Sequence, residues 1–249
     1  MNPTDYLASD VHLGAVPAAT ERRFVSFLEH VGSAGARSLL LAGDLFDFWF
    51  EYGPVIPGKH FRVLAALAAL VDAGIPVTLV GGNHDAWGGR FLREEVGVRY
   101  TVGLLRTELG GRPALVAHGD GLGRGDLKYR ALKAVLRSRA AIAAFRALHP
   151  ELGVRLAQRV STTQAKADAD AAASGRARFL EEWARARLAD EPSLGYVVCG
   201  HSHVPTVVEA EPDRYYLNAG DWVRHDSYIV VGADGRPELH TWRPQAARP

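Results

Sequence analysis

The chain has 249 residues, 47% of them hydrophobic and 23% charged, with 29 basic side chains against 28 acidic, the profile of a globular protein long enough to bury a full core. That composition excludes disordered, collagen-like and coiled-coil chains, and no apolar run approaches the ~20 residues needed to span a bilayer. A single cysteine, Cys199, excludes an internal disulfide framework, and the N-terminus lacks a charged-then-apolar leader, so the expected place is the cytoplasm or the inner face of the membrane that bounds it.

Short apolar runs recur along the first half, at Tyr6 to Ala8, Leu39 to Ala42, Val77 to Val80 and Ala114 to Ala117, and read as buried strands. Between the first three lie helical patterns. One opens at Thr20 as an N-cap with Phe24, Phe27, Leu28 and Val31 on one face, and another runs from about Phe61 to Val71. Alternating strand and helix predict a largely parallel sheet with covered faces. From about residue 126 to 190 the pattern changes to a long alanine- and arginine-rich helical stretch, broken near Pro150 and Gly153. Strands resume at Tyr196 to Cys199, Thr206 to Glu209, Tyr215 to Leu217, Tyr228 to Val231 and Glu238 to Trp242. The expected architecture is one α/β domain over residues 1–249, with residues 121–190 as a helical insertion that caps it.

The near-zero net charge conceals an asymmetry: residues 121–190 hold 14 basic against 7 acidic side chains, and the remainder is correspondingly acidic. A basic insertion on an acidic body suits an anionic ligand met by the insertion and cations held by the body. Solvated helix faces are the plain alternative.

The first five of these strand runs each lead into a short polar motif beside glycine: Ser9-Asp10-Val11-His12-Leu13-Gly14, Gly43-Asp44-Leu45-Phe46-Asp47, Gly82-Asn83-His84-Asp85, His118-Gly119-Asp120 and Gly200-His201-Ser202-His203. The carboxyl edge of an open α/β sheet is where such folds place their sites. Five of the ten histidines fall in these motifs, and imidazole, carboxylate and amide oxygen are ligands for hard and borderline divalent metals. Residues two apart in an extended chain point the same way, which predicts that Asp10 with His12, and His201 with His203, each grip one ion by strand alternation. Any one motif has an ordinary explanation, a helix cap or a hydrogen-bonded core histidine. Together, without metal, they would bury several unpaired ions at one sheet edge, costing several kcal/mol each. Asp85 reads as orienting His84 or capping a following helix, and Asp47 as supporting a ligand. Phe46, Phe48, Trp49 and Phe50 are core packing or a receptor for an apolar substrate, and Asn218 to Trp222 reads as a supporting turn.

The five blocks, in this order, resemble those of the calcineurin-like metallophosphoesterases. The resemblance implies a sandwich of mixed sheets flanked by helices and a hydrolase with two divalent metals. One metal would be held by Asp10, His12 and His203, the second by Asn83, His118 and His201, with Asp44 bridging both. Manganese is the expected metal, and the same ligands accept iron, cobalt, zinc or nickel. His84 corresponds to the family's non-ligand histidine beside the scissile phosphate, with Asp85 next to it. Such a pair of cations activates water and neutralises phosphate oxygens during in-line displacement.

The stretch Gly43 to Trp49, the stretch His118 to Gly123 and the basic helical insertion are similar to the UDP-2,3-diacylglucosamine hydrolase branch. That branch cleaves a pyrophosphate to UMP and 2,3-diacylglucosamine 1-phosphate, and its insertion forms a lid over acyl chains. By analogy with that lid, Arg159 and Lys166 are expected to contact phosphate and Tyr129 the sugar or base. The best-known members carry arginine where this chain has His84, whereas others carry histidine. A phosphodiesterase or phosphatase acting on another nucleotide or phospholipid is the alternative, and a non-catalytic scaffold a remote one. The expected partner is a small phosphorylated or lipid-linked nucleotide. Nucleic acid is disfavoured because no basic stripe with interleaved aromatics borders the motifs, and no protein partner is inferred.

Overall fold

The computed structural model describes residues 4–243 apart from residue 54 and the segments 123–126 and 161–169. Its body is two mixed sheets face to face. The first contains β1 (Asp5–Ala8), β2 (Ser38–Leu41), β3 (Val77–Gly81), β4 (Arg99–Val102), β10 (Ser227–Val231) and β11 (Pro237–Thr241), in the order β11-β10-β1-β2-β3-β4. The second contains β5 (Leu105–Leu109), β6 (Arg112–Val116), β7 (Tyr196–Cys199), β8 (Thr206–Glu211) and β9 (Arg214–Asn218), in the order β5-β6-β7-β9-β8. The parallel arrangement expected from strand-helix alternation holds for β1 through β4 and for β6, β7 and β9; antiparallel strands form the remaining edges.

The apolar runs are continuous because both faces of these strands are buried. In β1, Tyr6 and Ala8 join the core under the helices while Leu7 joins the core between the sheets, and β2 repeats this with Leu39 and Leu41 against Leu40. Across the gap, Tyr196 and Val198 of β7 face inward, whereas Val197 and Cys199 face a third core on the outer side. Helices α1 (Ala18–Ser33) and α2 (Phe61–Asp72) cover the first sheet. The α1 residues Phe24, Phe27, Leu28 and Val31 are fully buried at helical spacing, and the rings of Phe24 and Phe27 meet Trp222.

Three local expectations fail. Helix α1 begins two residues before Thr20, after extended Pro17, and the Thr20 hydroxyl accepts from Arg23 Nη2 instead of capping. The insertion contains α3 (Leu127–Leu136), α4 (Arg139–Arg146), α5 (Pro150–Val160) and α6 (Asp170–Asp190). One break falls at Ala147 to His149, next to Pro150 as expected, but the other is at Arg137-Ser138, where the Ser138 hydroxyl caps α4, and not at Gly153. Gly153 lies inside α5, because any Cβ there would collide with the Tyr52 hydroxyl and crowd the Phe145 ring. Strands β4 and β5 and the π-helical turn Phe91–Glu95 are additional elements. Within the stretch expected to cap the body, α6 divides: Leu180, Ala184 and Leu188 pack on the second sheet with Val197 and Tyr216, as a body helix does. No helix among the described residues is long and apolar enough to cross a membrane.

Candidate metal centre

The polar loops following β1, β2, β3, β6 and β7 converge at one edge of the sandwich, sewn together through their backbones. Asp10 N donates to Gly43 O at 3.0 Å, His12 N to Asp44 O at 3.0 Å, and Gly200 N to His118 O at 2.8 Å. The strand-alternation reading of these loops is wrong. Asp10, His12, Asp44, His201 and His203 have φ of 53°, 50°, 50°, 65° and 62°, so each side chain is aimed by a left-handed residue beyond its strand. This conformation costs a non-glycine residue roughly 1–2 kcal/mol, which the interlocked loops must offset. Gly82 lies so close to Asp44 that a Cβ would collide with the carboxylate.

Asp10, His12 and His203 form one group of ligand atoms all within 4.8 Å of one another, and Asp44, His118 and His201 form another. His201 and His203 therefore belong to different groups, whereas alternation would have placed them on one ion. Asp44 lies between the groups: its Oδ2 is 3.1 Å from His118 Nε2 and 3.8 Å from His12 Nε2. A third grouping joins His12, Asp44 and His84. The buried Asn83 Oδ1 has no hydrogen-bond donor among the described residues.

The tautomers explain why these atoms suit cations. His118 Nδ1 donates to the Ala42 carbonyl at 2.9 Å, and His203 Nδ1 donates to Asp221 Oδ2 at 3.0 Å. In each neutral ring the lone pair then sits on Nε2, facing the centre. His203 Nε2 is 3.3 Å from His12 Nε2 and 3.5 Å from Asp10 Oδ1. The lone pairs of His118 and His203, the carboxylates of Asp10 and Asp44 and the orphaned Asn83 oxygen all converge here, and a shared positive charge would relieve their crowding. Without metal a proton supplies it: burial pushes the His118 imidazole down, but Asp44, Asp10 and Asp120 outweigh this and raise it to about 10. Burial raises the Asp44 carboxyl, and His118 more than reverses that, holding it well below the usual range. Burial likewise keeps His12 well below its ordinary value. The donor set fits divalent ions.

His84 is placed differently. Its Nδ1 donates to the Asp47 carbonyl at 2.8 Å, its amide donates to Asp44 Oδ1 at 2.9 Å, and its ring meets His12 edge-on. Asp85, expected to act beside the chemistry by orienting His84 or capping a helix, does neither. Its buried carboxylate accepts from Gly82 N at 2.7 Å, Leu45 N at 2.7 Å and Phe46 N at 3.3 Å, stapling the Asp44 loop to the Asn83 loop. Asp85 is a positioning residue. Asp221, read from sequence as part of a supporting turn, supports in a specific way: besides His203 it accepts from the amides of Arg224 and His225.

Two cavities open here. A small one, about 40 Å³, is lined by His12, Asp44, Asn83, His84, His201 and His203, and by Arg176 of α6, which motif reading missed because no pattern marks it. The other is a cleft of about 390 Å³ beneath α3, α4 and α5, walled by Phe48, Phe50, Trp87, Leu132, Leu136, Ile142, Phe145 and Leu156. Asn83 and His84 line both. Tyr129 lines the cleft with its hydroxyl donating to Asp120 Oδ2 at 3.1 Å. Arg159 is exposed on α5, away from the lining of either cavity, and Lys166 lies outside the described residues.

Residues 6–205 match the family model of the calcineurin-like phosphoesterases. The chain belongs to the calcineurin-like phosphoesterase family. As a member it is a hydrolase, and divalent-metal chemistry goes with that family. Similar proteins include UDP-2,3-diacylglucosamine hydrolases from Porphyromonas gingivalis, 30% identical with 90% of this chain and 92% of the relative covered, and from Klebsiella pneumoniae, 28% identical with 93% and 96% covered. A third, from Actinobacillus succinogenes, is 27% identical over 91% of this chain and 94% of the relative. This phosphoesterase thus resembles those hydrolases across nearly its whole length.

Proposed function

We propose that this phosphoesterase hydrolyses the pyrophosphate of a lipid-linked nucleotide, UDP-2,3-diacylglucosamine, to UMP and 2,3-diacylglucosamine 1-phosphate. The observation carrying this reading is the wall that Asn83 and His84 share between the polar pocket and the apolar cleft. A substrate reaching both must carry phosphate at one end and extended apolar groups close by. The cleft's size and its aromatic and aliphatic walls suit acyl chains. Lys133 and Arg137 make its polar border, where Lys133 pairs with Asp120 at 2.5 Å and Arg137 donates to the Gly82 carbonyl at 3.0 Å. Helices α3, α4 and α5 act as the lid, with Tyr129 contacting the sugar or base. Leu132, Val135, Leu136, Leu152 and Leu156 are exposed large apolar residues on these helices, and Leu148 is exposed between α4 and α5, as a lid working at the inner-membrane face requires.

In this reading two ions, manganese by expectation, are held by Asp10, His12 and His203 and by Asn83, His118 and His201, with Asp44 between them. When bound they supply Lewis-acid stabilisation of phosphate oxygens and an activated water. The chain's own residues do the rest. Asp221 and the Ala42 carbonyl fix the tautomers of His203 and His118. His84, anchored through Nδ1, keeps Nε2 for a phosphate oxygen and in its cationic form can donate a proton there. The lid excludes water from the acylated end.

The test is hydrolysis by the manganese-loaded protein of UDP-2,3-diacylglucosamine, UDP-glucose and bis(p-nitrophenyl) phosphate. The reading expects UMP and the acylated sugar phosphate, with kcat/KM for the acylated substrate exceeding that for UDP-glucose at least a hundredfold. Equal rates on the two nucleotide sugars would overturn it in favour of a general phosphodiesterase.

A further inference from the structure

Arg176 is a half-buried residue of α6 lining the small cavity with His12, Asp44, Asn83, His84, His201 and His203. Its backbone is held firmly. One turn on, Leu180 is 1% exposed in the core under the second sheet, and its Cδ1 would stand 3.1 Å from a Cβ on Gly119, beside the ligand His118. The other arginines of α6 behave as ordinary surface groups: Arg178, Arg185 and Arg187 pair with Glu182, Glu181 and Asp190 on the same helix. Among the described residues no carboxylate or carbonyl pairs with Arg176.

Charge makes this placement informative. The ligand groups contribute the carboxylates of Asp10 and Asp44. Two divalent cations leave that centre with a surplus of positive charge, and a guanidinium on the same cavity adds to it. Such an arrangement is unfavourable until an anion arrives. A guanidinium is suited to that anion, because its planar fork matches two phosphate oxygens and it stays protonated at any physiological pH.

We propose that Arg176 is a catalytic, substrate-binding residue that grips non-bridging oxygens of the phosphoryl group at the centre and offsets the charge that builds on it during cleavage. In the hydrolysis a water oxygen forms a new bond to phosphorus as the bond from phosphorus to the leaving phosphate oxygen breaks. The water's proton passes to the leaving group or to solvent, and Arg176 neither gives nor takes one. Its contribution is positioning plus fixed charge, strongest where the phosphoryl oxygens carry most charge. The proposal rests on phosphate hydrolysis at this centre but is indifferent to the acylated sugar.

The experiment compares Arg176→Gln and Arg176→Lys with Arg178→Gln, a control on the same helix, each loaded with manganese. Metal content, calorimetric affinity for inorganic phosphate, and kcat and KM on bis(p-nitrophenyl) phosphate and UDP-2,3-diacylglucosamine are measured. Arg176→Gln is expected to weaken phosphate binding by ~10–100-fold and lower kcat/KM on the chromogenic diester by ~10²–10³-fold, with metal content unchanged. Arg176→Lys should recover part of the loss because it keeps the charge without the fork, and Arg178→Gln should match the parent. Phosphate affinity and kcat/KM within twofold of the parent in Arg176→Gln would overturn the proposal. So would a loss of metal in that variant, or equal losses in the Arg178 control. If UDP-2,3-diacylglucosamine is not a substrate, the parent protein fails on it while the Arg176 effect on phosphate and the chromogenic diester remains, so the two readings fail separately.

Discussion

Asp221 accepts the Nδ1 proton of His203 at 3.0 Å, and that bond decides which ring nitrogen faces the metal centre. The carboxylate is itself tied by the amides of Arg224 and His225, and its pKa is pulled well below the carboxylate range, where burial is outweighed by hydrogen bonds from His203 and His225. An amide in its place can turn either its oxygen or its nitrogen toward the ring and supplies no negative charge. Asp221→Asn should therefore lower affinity for the ion at Asp10, His12 and His203 by ~10–100-fold, as lost outer partners of metal-bound histidines do. Metal titration followed by mass spectrometry checks this; full retention at limiting metal would show that the bond does not orient His203.

Asp44 lies between both ligand groups and also accepts the His84 amide at 2.9 Å. Asp44→Ala should abolish hydrolysis and reduce bound metal to one equivalent or less, while circular dichroism remains that of the folded protein. Turnover at the parent rate with full metal content would remove Asp44 from the bridging place.

His84 divides two roles that sequence alone left to resemblance. Its Nδ1 is committed to Asp47 O, which leaves one nitrogen for either phosphate or metal. His84→Ala is expected to lower kcat by ~10²–10⁴-fold with metal retained, the size of effect seen when a positioned acid or donor is lost. Loss of metal in parallel with activity would instead make His84 a ligand alongside His12 and Asp44.

The candidate ligand set was legible because each of its residues lies in a short block at the end of an apolar strand run. Direction was not legible. Asp10 and His12 fall in one group of candidate ligand atoms, yet they do so through left-handed backbone beyond β1, while alternation would also have joined His201 to His203. Strands β4 and β5 carry Arg99, Thr101, Arg106 and Glu108 on half-exposed faces, so no apolar run marks them. Arg176 and Asp221 acquire their places only through tertiary packing. Arg176 reads as one more arginine in a basic helix, and its difference from Arg178 is visible only when Leu180 is seen docked beside the His118 loop.

Asp85 illustrates a role that its neighbours concealed. Its carboxylate accepts three backbone hydrogen bonds from two loops, and burial followed by repulsion from Asp44 raises its pKa to about 6 despite those donors. Removing it leaves buried amides unsatisfied. Asp85→Ala should cost about 2–4 kcal/mol, from roughly 1–3 kcal/mol for unsatisfied groups plus lost charged hydrogen bonds. For a chain of this size that lowers Tm by roughly 4–16 °C, at about 2–4 °C for each kcal/mol. Scanning calorimetry of the metal-free proteins separates this from metal loss; an unchanged Tm would mean the loops hold together without the staple.

The lid suggests testing function by deletion, but the packing of α6 argues against removing residues 126–190. Leu180, Ala184 and Leu188 would leave Val197 and Tyr216 uncovered, and each large buried side chain contributes about 1.5–3 kcal/mol. Substitution within the cleft is cleaner. Ile142 and Phe145 line it from α4, and the Phe145 ring meets Phe48 edge-on and Phe50 at a tilt, so the pair forms the insertion's side of the apolar wall. Both belong to a short helix with no fully buried residue, so a polar replacement should leave the body intact. Ile142→Asp and Phe145→Ser should raise KM for UDP-2,3-diacylglucosamine by ~10-fold or more, since each removes about 1.5–3 kcal/mol of apolar contact with an acyl chain. Hydrolysis of bis(p-nitrophenyl) phosphate, which needs only the polar pocket, should stay within twofold of the parent. Equal losses on both substrates would show that the lid shapes the metal pocket itself, and unchanged KM on the acylated substrate would remove acyl chains from the cleft.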